Sequence, residues 1–204
     1  MILGGLTILI MLIVGYAYWR EGLLTAFCMC CNVVVSGLVA INFWEPIAKE
    51  IDPFLQGYED FLCLSLFFIA TLLLLRWLTN QMANRMPDFP SAVQHAGGVL
   101  FGMATGYLLA GFLVCVLQTL PWHERFVDFN PDFDPNLAGA SLRRVLPPDR
   151  VWLALMHKLS SDRLDWQDNN SFDRNGDFEL RYARYRRYSD TRDNPLPYSG
   201  ESPP

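Results

Sequence analysis

The sequence predicts an all-α integral membrane protein, with four transmembrane helices followed by a partly disordered tail that carries one amphipathic helix. Three observations point there. Four apolar segments stand at residues 2–18, 23–43, 61–75 and 96–120. Each ends beside a tryptophan, Trp19, Trp44, Trp77 or Trp122, and an indole at the end of a span prefers the headgroup level of a bilayer. The composition also breaks after Leu120: the first 120 residues hold four Lys/Arg and seven Asp/Glu, whereas the remaining 84 hold 12 and 14 and nine of the 13 prolines. Neither half is strongly charged within a net of -5, so no nucleic-acid partner is expected.

The first segment lacks a basic leader and a small-x-small cleavage site, and so reads as a retained helix, not a signal peptide. Its connection to the second, Trp19-Arg20-Glu21-Gly22, is short enough to set the two spans antiparallel and side by side. In the second span Asn32 and Ser36 lie one turn apart, as small polar groups that bond between helices or line a pathway. An acidic connection with Pro46 and Pro53 follows. The third span is short before Arg76, whose side chain can snorkel and extend the helix to about Leu78.

The fourth span contains GGVLFGMATGYLLAG, residues 97–111, with five glycines in one apolar run. Glycine costs a helix in water about 1 kcal/mol against alanine. In lipid the backbone stays helical regardless, because no water competes for its hydrogen bonds. Gly98, Gly102, Gly106 and Ala110 recur every fourth residue and make one face smooth enough for a second helix to approach closely.

Beyond Trp122 the acidic, proline-broken run FVDFNPDFDPN reads as a linker. PPDRVWLALMHKLSS then places Val151, Trp152, Leu155, Met156 and Leu159 on one helical stripe, to lie on the membrane or dock on the bundle. The expected organisation is a membrane domain over 1–121 and a tail over 122–204, with the amphipathic helix at about 149–160 and a disordered end. Lys/Arg counts near the spans place both termini on the same, extracytoplasmic side, with Arg20, Arg76 and Arg85 in the inner connections.

Candidates for chemistry are few. The cysteines of CMCC, 28–31, sit in an apolar run and read as small packing residues. His95, His123 and His157 have no Cys, Asp or Glu at ligand spacing, so no metal, cofactor or catalytic centre is expected. DRNGD, 173–177, opens like a calcium loop but has Phe178 where glycine and Arg184 where glutamate belong. FELRYARYRRY, 178–188, mixes Arg and Tyr and reads as a strand or solvated tail ahead of an RNA or lipid surface.

The chain resembles the CvpA (colicin V production) family of bacterial inner-membrane proteins over about residues 1–121. The matching text is YWREGLLTAF around the first turn, SLFFIATLLLL in the third span, and GGVLFGMATG with Gly98, Gly102 and Gly106 in the fourth. It departs where the family has an acidic residue early in span one, here Gly4, Gly5 and Thr7. It departs again where an Asp-Arg pair precedes span four, here Gln94 and His95. The resemblance implies a multi-pass membrane protein tied to colicin V or toxin production or export and to the envelope, without a known reaction. Relatives that fuse this domain to an extracytoplasmic protease imply an outward C-terminus. The expected role is a non-enzymatic scaffold whose partners are the lipid bilayer, a membrane or envelope protein, or a second copy of the chain. A small oligomeric transporter or channel component is the alternative.

Overall fold

Long uncharged runs with no water to satisfy the backbone leave the helix as the only economical local structure. The computed structural model describes residues 2–55, 58–83, 90–120 and 148–163, and among them all regular structure is helical. We number the helices α1 (Ile2–Glu21), α2 (Leu23–Leu55), α3 (Glu59–Ala83), α4 (Ser91–Gln118) and α5 (Pro148–Arg163). Among the described residues three stretches are long and apolar enough to cross a membrane: Leu23–Trp44, Glu59–Gln81 and Ser91–Gln118. With a rise of about 1.5 Å per residue each exceeds a hydrocarbon core of about 30 Å. The first expected segment falls on α1, whose last turn carries Arg20 and Glu21.

Several boundaries move outward from those expected. Helix α2 continues to Leu55 through Pro46 and Pro53, where a connection was expected. An interior proline removes one donor and crowds the carbonyl four residues back, at a cost of about 3 kcal/mol, yet its fixed φ is itself helical and the run continues through both. Helix α4 starts five residues early, directly after Pro90, whose extended ψ of 138° precedes the first helical turn. It ends in a tightened turn, with the Thr119 N–H on the Val116 carbonyl at 3.2 Å and the Leu120 N–H on that of Leu117 at 3.3 Å.

The order of packing differs from the order of the chain. Helix α1 packs mainly on α4, α4 on α2, and α2 on α3, while α5 rests on α4 and α2. The first two helices are therefore neighbours chiefly near their turn, not side by side along their length. The turn ties their ends together, but the glycine face of α4 lets α1 come closer there than any face of α2 does.

The core joins α2 (Val33, Ala40, Ile41, Trp44), α3 (Cys63, Leu64, Phe68), α4 (Phe112, Cys115, Val116) and α5 (Trp152, Leu153, Met156). Trp44 stands at the end of the apolar span as expected, but it is an interior residue, only 4% exposed. The reason is that α2 runs on past it. Trp19 and Trp77 do face outward. So do Leu9, Leu12, Ile13 and Tyr16 on α1 and Leu62, Leu66, Ile69 and Leu73 on α3, faces that suit hydrocarbon and not water. Trp122, His123, the linker, DRNGD, the Arg/Tyr run and the C-terminal end lie outside the described residues.

Candidate functional site

The glycine row of α4 meets the backbone of α1. A β-carbon added to Gly98 would collide with the carbonyl oxygen of Tyr18, and one on Gly102 would stand 3.0 Å from the Cα of Gly15. On Gly106 it would stand 2.8 Å from the Cα of Met11. Ala110 continues the row and is 1% exposed. Close backbone approach of this kind gives van der Waals contact that larger side chains would hold apart.

The end of this helix pair is fastened by residues at the α1–α2 turn. Gly22 has φ of +97°, a conformation that L side chains rarely adopt, and its amide closes on the Tyr18 carbonyl at 3.0 Å. The Gln94 side chain lies over Gly22, where an added β-carbon would come within 2.9 Å of its Cγ. His95 Nδ1 lies 3.0 Å from the Trp19 carbonyl oxygen. A carbonyl only accepts, so Nδ1 carries the proton, and the imidazole satisfies one of the carbonyls orphaned at the end of α1. Gln94 and His95 therefore both serve this junction.

Between α2 and α3, Asn32 Nδ2 donates to Thr79 Oγ1 at 3.2 Å. The Thr79 hydroxyl lies 2.9 Å from the Leu75 carbonyl and 3.1 Å from that of Arg76, so it can donate back to its own helix. Ser36, one turn beyond Asn32, is fully buried, and its Oγ has no hydrogen-bond partner. The two polar residues of span two thus sit in different surroundings.

Around Asn32 a polar crevice opens, lined by Tyr18 and Glu21 of α1, Thr25, Cys28, Met29 and Asn32 of α2, and Arg76, Thr79 and Asn80 of α3. It encloses about 320 Å³ of empty space including its open mouth. Its floor has room for about one water, by the usual size criterion. The crevice exists because α1 leans on α4 and leaves α2 bare between α1 and α3. Nothing in the sequence pattern announces it, since its residues are scattered over three helices.

Helix α5 closes the opposite end. Trp152 is 1% exposed and stands edge-on to Phe112 and Phe68, at centroid distances of 5.6 and 6.4 Å. Those two rings stack on each other at 3.7 Å. The indole fills the space in front of Gly37, where an added β-carbon would strike its ring, and Gly111 lies against the Pro148 carbonyl. Met156 is fully buried, whereas Val151, Leu155 and Leu159 are half-buried and Leu153 joins the covered face. Of the two placements open to the stripe, the helix takes the bundle.

At the start of α5, Gln118 Nε2 donates to Asp149 Oδ2 at 3.3 Å, and the Cys115 thiol lies 3.7 Å from the Asp149 carbonyl. An acidic residue in the first turn also favours the positive end of the helix dipole. Glu59 and Asp60, buried in the first turn of α3, are further carboxylates at a helix start. The sequence reading passed over both, along with Thr79, Gly37 and Gly111. Among the described residues no group of three or more His, Cys, Asp or Glu is placed to hold a metal ion.

These features define a helical membrane protein whose described interior is occupied by close helix packing. The chain belongs to the family of the colicin V production protein, whose model matches residues 4–129 and so extends a few residues past the resemblance read from the sequence. No curated protein and no solved structure matches it.

Proposed function

We propose that the chain is a non-enzymatic scaffold or assembly unit of the bacterial inner membrane, with four spans and both termini outside. It acts in the production or export of a colicin-type toxin and in envelope function. The observation that carries this reading is how the polar groups of the bundle are spent. Asn32 holds Thr79, His95 holds the end of α1, and Gln118 holds Asp149, so each of these contacts joins one helix to another. In this reading α1 crosses the membrane too, as the first of the four spans, with its outward Leu9, Leu12, Ile13 and Tyr16 in lipid. Since Trp152 and Met156 are spent inside the molecule, a protein partner would meet the outer side of α5, where Arg150 and Lys158 are exposed. A second copy of the chain or an envelope protein is the expected occupant.

Co-purification from native membranes tests the reading. A stable complex that loosens when Arg150 and Lys158 are reversed in charge supports it. A chain that purifies alone and restores a transport phenotype in vesicles would replace it with the transporter reading.

A further inference from the structure

The crevice between α1 and α3 has a charge layout that the scaffold reading does not use. Arg76 of α3 lines one wall and Glu21 of α1 the other, with Tyr18 of α1 beside them. Both charged residues are exposed, and among the described residues no ion pair joins them. Thr25 and Asn80 add hydrogen-bonding groups to the rim. Trp19 and Trp77, each next to a charged crevice residue or to its neighbour in the chain, face outward at 47% and 62% exposure, as indoles do at headgroup level. From Cys28 in the floor, the outward residues Cys31 and Val35 continue along the same face of α2, an apolar track leading away from the polar mouth.

We propose that this crevice binds the headgroup of a phospholipid bearing a phosphate and a primary amine, with the phosphate on Arg76 and the ammonium on Glu21. A guanidinium matches the phosphate oxygens in a forked geometry. The amine of an ethanolamine headgroup stands one ethyl unit from the phosphate and offers donors to a carboxylate across the cleft. A purely anionic headgroup would leave Glu21 facing negative charge. A choline headgroup carries the positive charge but has no N–H to donate. The acyl chains would follow the track past Cys31 and Val35. The inference rests on the membrane-spanning reading above.

The test uses the full chain, purified in mild detergent and delipidated, with phosphatidylethanolamine, phosphatidylcholine and phosphatidylglycerol offered at equal concentration and retention read by native mass spectrometry. Phosphatidylethanolamine should be retained about tenfold better than the other two, the scale of one charge-assisted hydrogen bond. Glu21→Gln should bring it down to the level of phosphatidylcholine. Arg76→Gln should weaken all three, and Arg76→Lys, which keeps the charge but loses the fork, should restore only part of the binding. Because both residues are exposed, thermal melting without lipid should not change, which separates lost binding from lost folding. Equal retention of the three lipids, preference for phosphatidylglycerol, or an unchanged preference in Glu21→Gln would overturn the site while leaving the membrane reading intact. Recovery of the chain from the soluble fraction of cells would overturn both.

Discussion

Gly106 of α4 and Met11 of α1 meet backbone to backbone: a β-carbon on the glycine would stand 2.8 Å from the methionine Cα. Gly98 and Gly102 repeat the arrangement against Tyr18 and Gly15. The interface is thus specified by what α4 lacks, and it is sensitive to single carbon atoms.

Gly106→Ala should therefore destabilise the detergent-solubilised protein by about 1–3 kcal/mol, the usual cost of overpacking, and Gly102→Leu or Gly106→Leu by more. Gly5→Ala is the control, because an added β-carbon there has nothing within 4 Å. Thermal melting of the purified variants measures the difference. Equal melting of all of them would remove close packing as the role of the row.

Trp152→Ala should release α5. Truncating a large buried aromatic costs about 3–5 kcal/mol, and here it also empties the space before Gly37. Proteolysis or hydrogen exchange confined to 148–163 should rise sharply, while membrane insertion of α2, α3 and α4 persists. Lys158→Ala, on the exposed side, should leave α5 protected.

Asn32 and Ser36 should respond in opposite directions. Asn32→Ala removes an interhelical hydrogen bond worth about 0.6–2 kcal/mol in a membrane and should lower stability. Ser36→Ala removes a buried hydroxyl whose oxygen has no partner, and should be neutral or stabilising. A loss at Ser36 equal to that at Asn32 would mean that the hydroxyl has a partner in the working protein.

Orientation is accessible to labelling in a cysteine-free background. A membrane-impermeant maleimide should reach Ser199→Cys in intact cells and Asn84→Cys only after permeabilisation. The reverse pattern would invert the protein in the membrane and leave the span count standing. Labelling of both from one side would contradict four spans.

What the sequence discloses and what it hides follow from how far each signal reaches. The fourfold row of Gly98, Gly102, Gly106 and Ala110 is a local period, and so is the stripe around Trp152; both are visible to anyone counting residues. Their receiving surfaces are not periodic. α1 offers the row its bare backbone around Met11 and Gly15, and α5 docks where Gly37 and Gly111 happen to leave room. Trp44 ends its apolar run, yet the run alone does not say that its indole turns inward, because the helix continues beyond it. The polar crevice is the least legible feature, since it arises from the gap left when α1 chooses α4. Charged residues such as Glu21 and Arg76 read in sequence as span ends and nothing more.

The pairing of α1 with α4 also sets a clock on biogenesis. Ninety-five residues separate Met11 from Gly106. At a synthesis rate of about 5–20 residues per second, the first helix waits about 5–19 s for the surface that completes it. During that interval the side of it that carries Met11, Gly15 and Tyr18 has only lipid, α2 near the turn, or the insertion machinery for company. The vulnerable moment in making this protein therefore falls between the arrival of its first and its last bundle helix. A chain interrupted before residue 98 would strand α1 without its main neighbour.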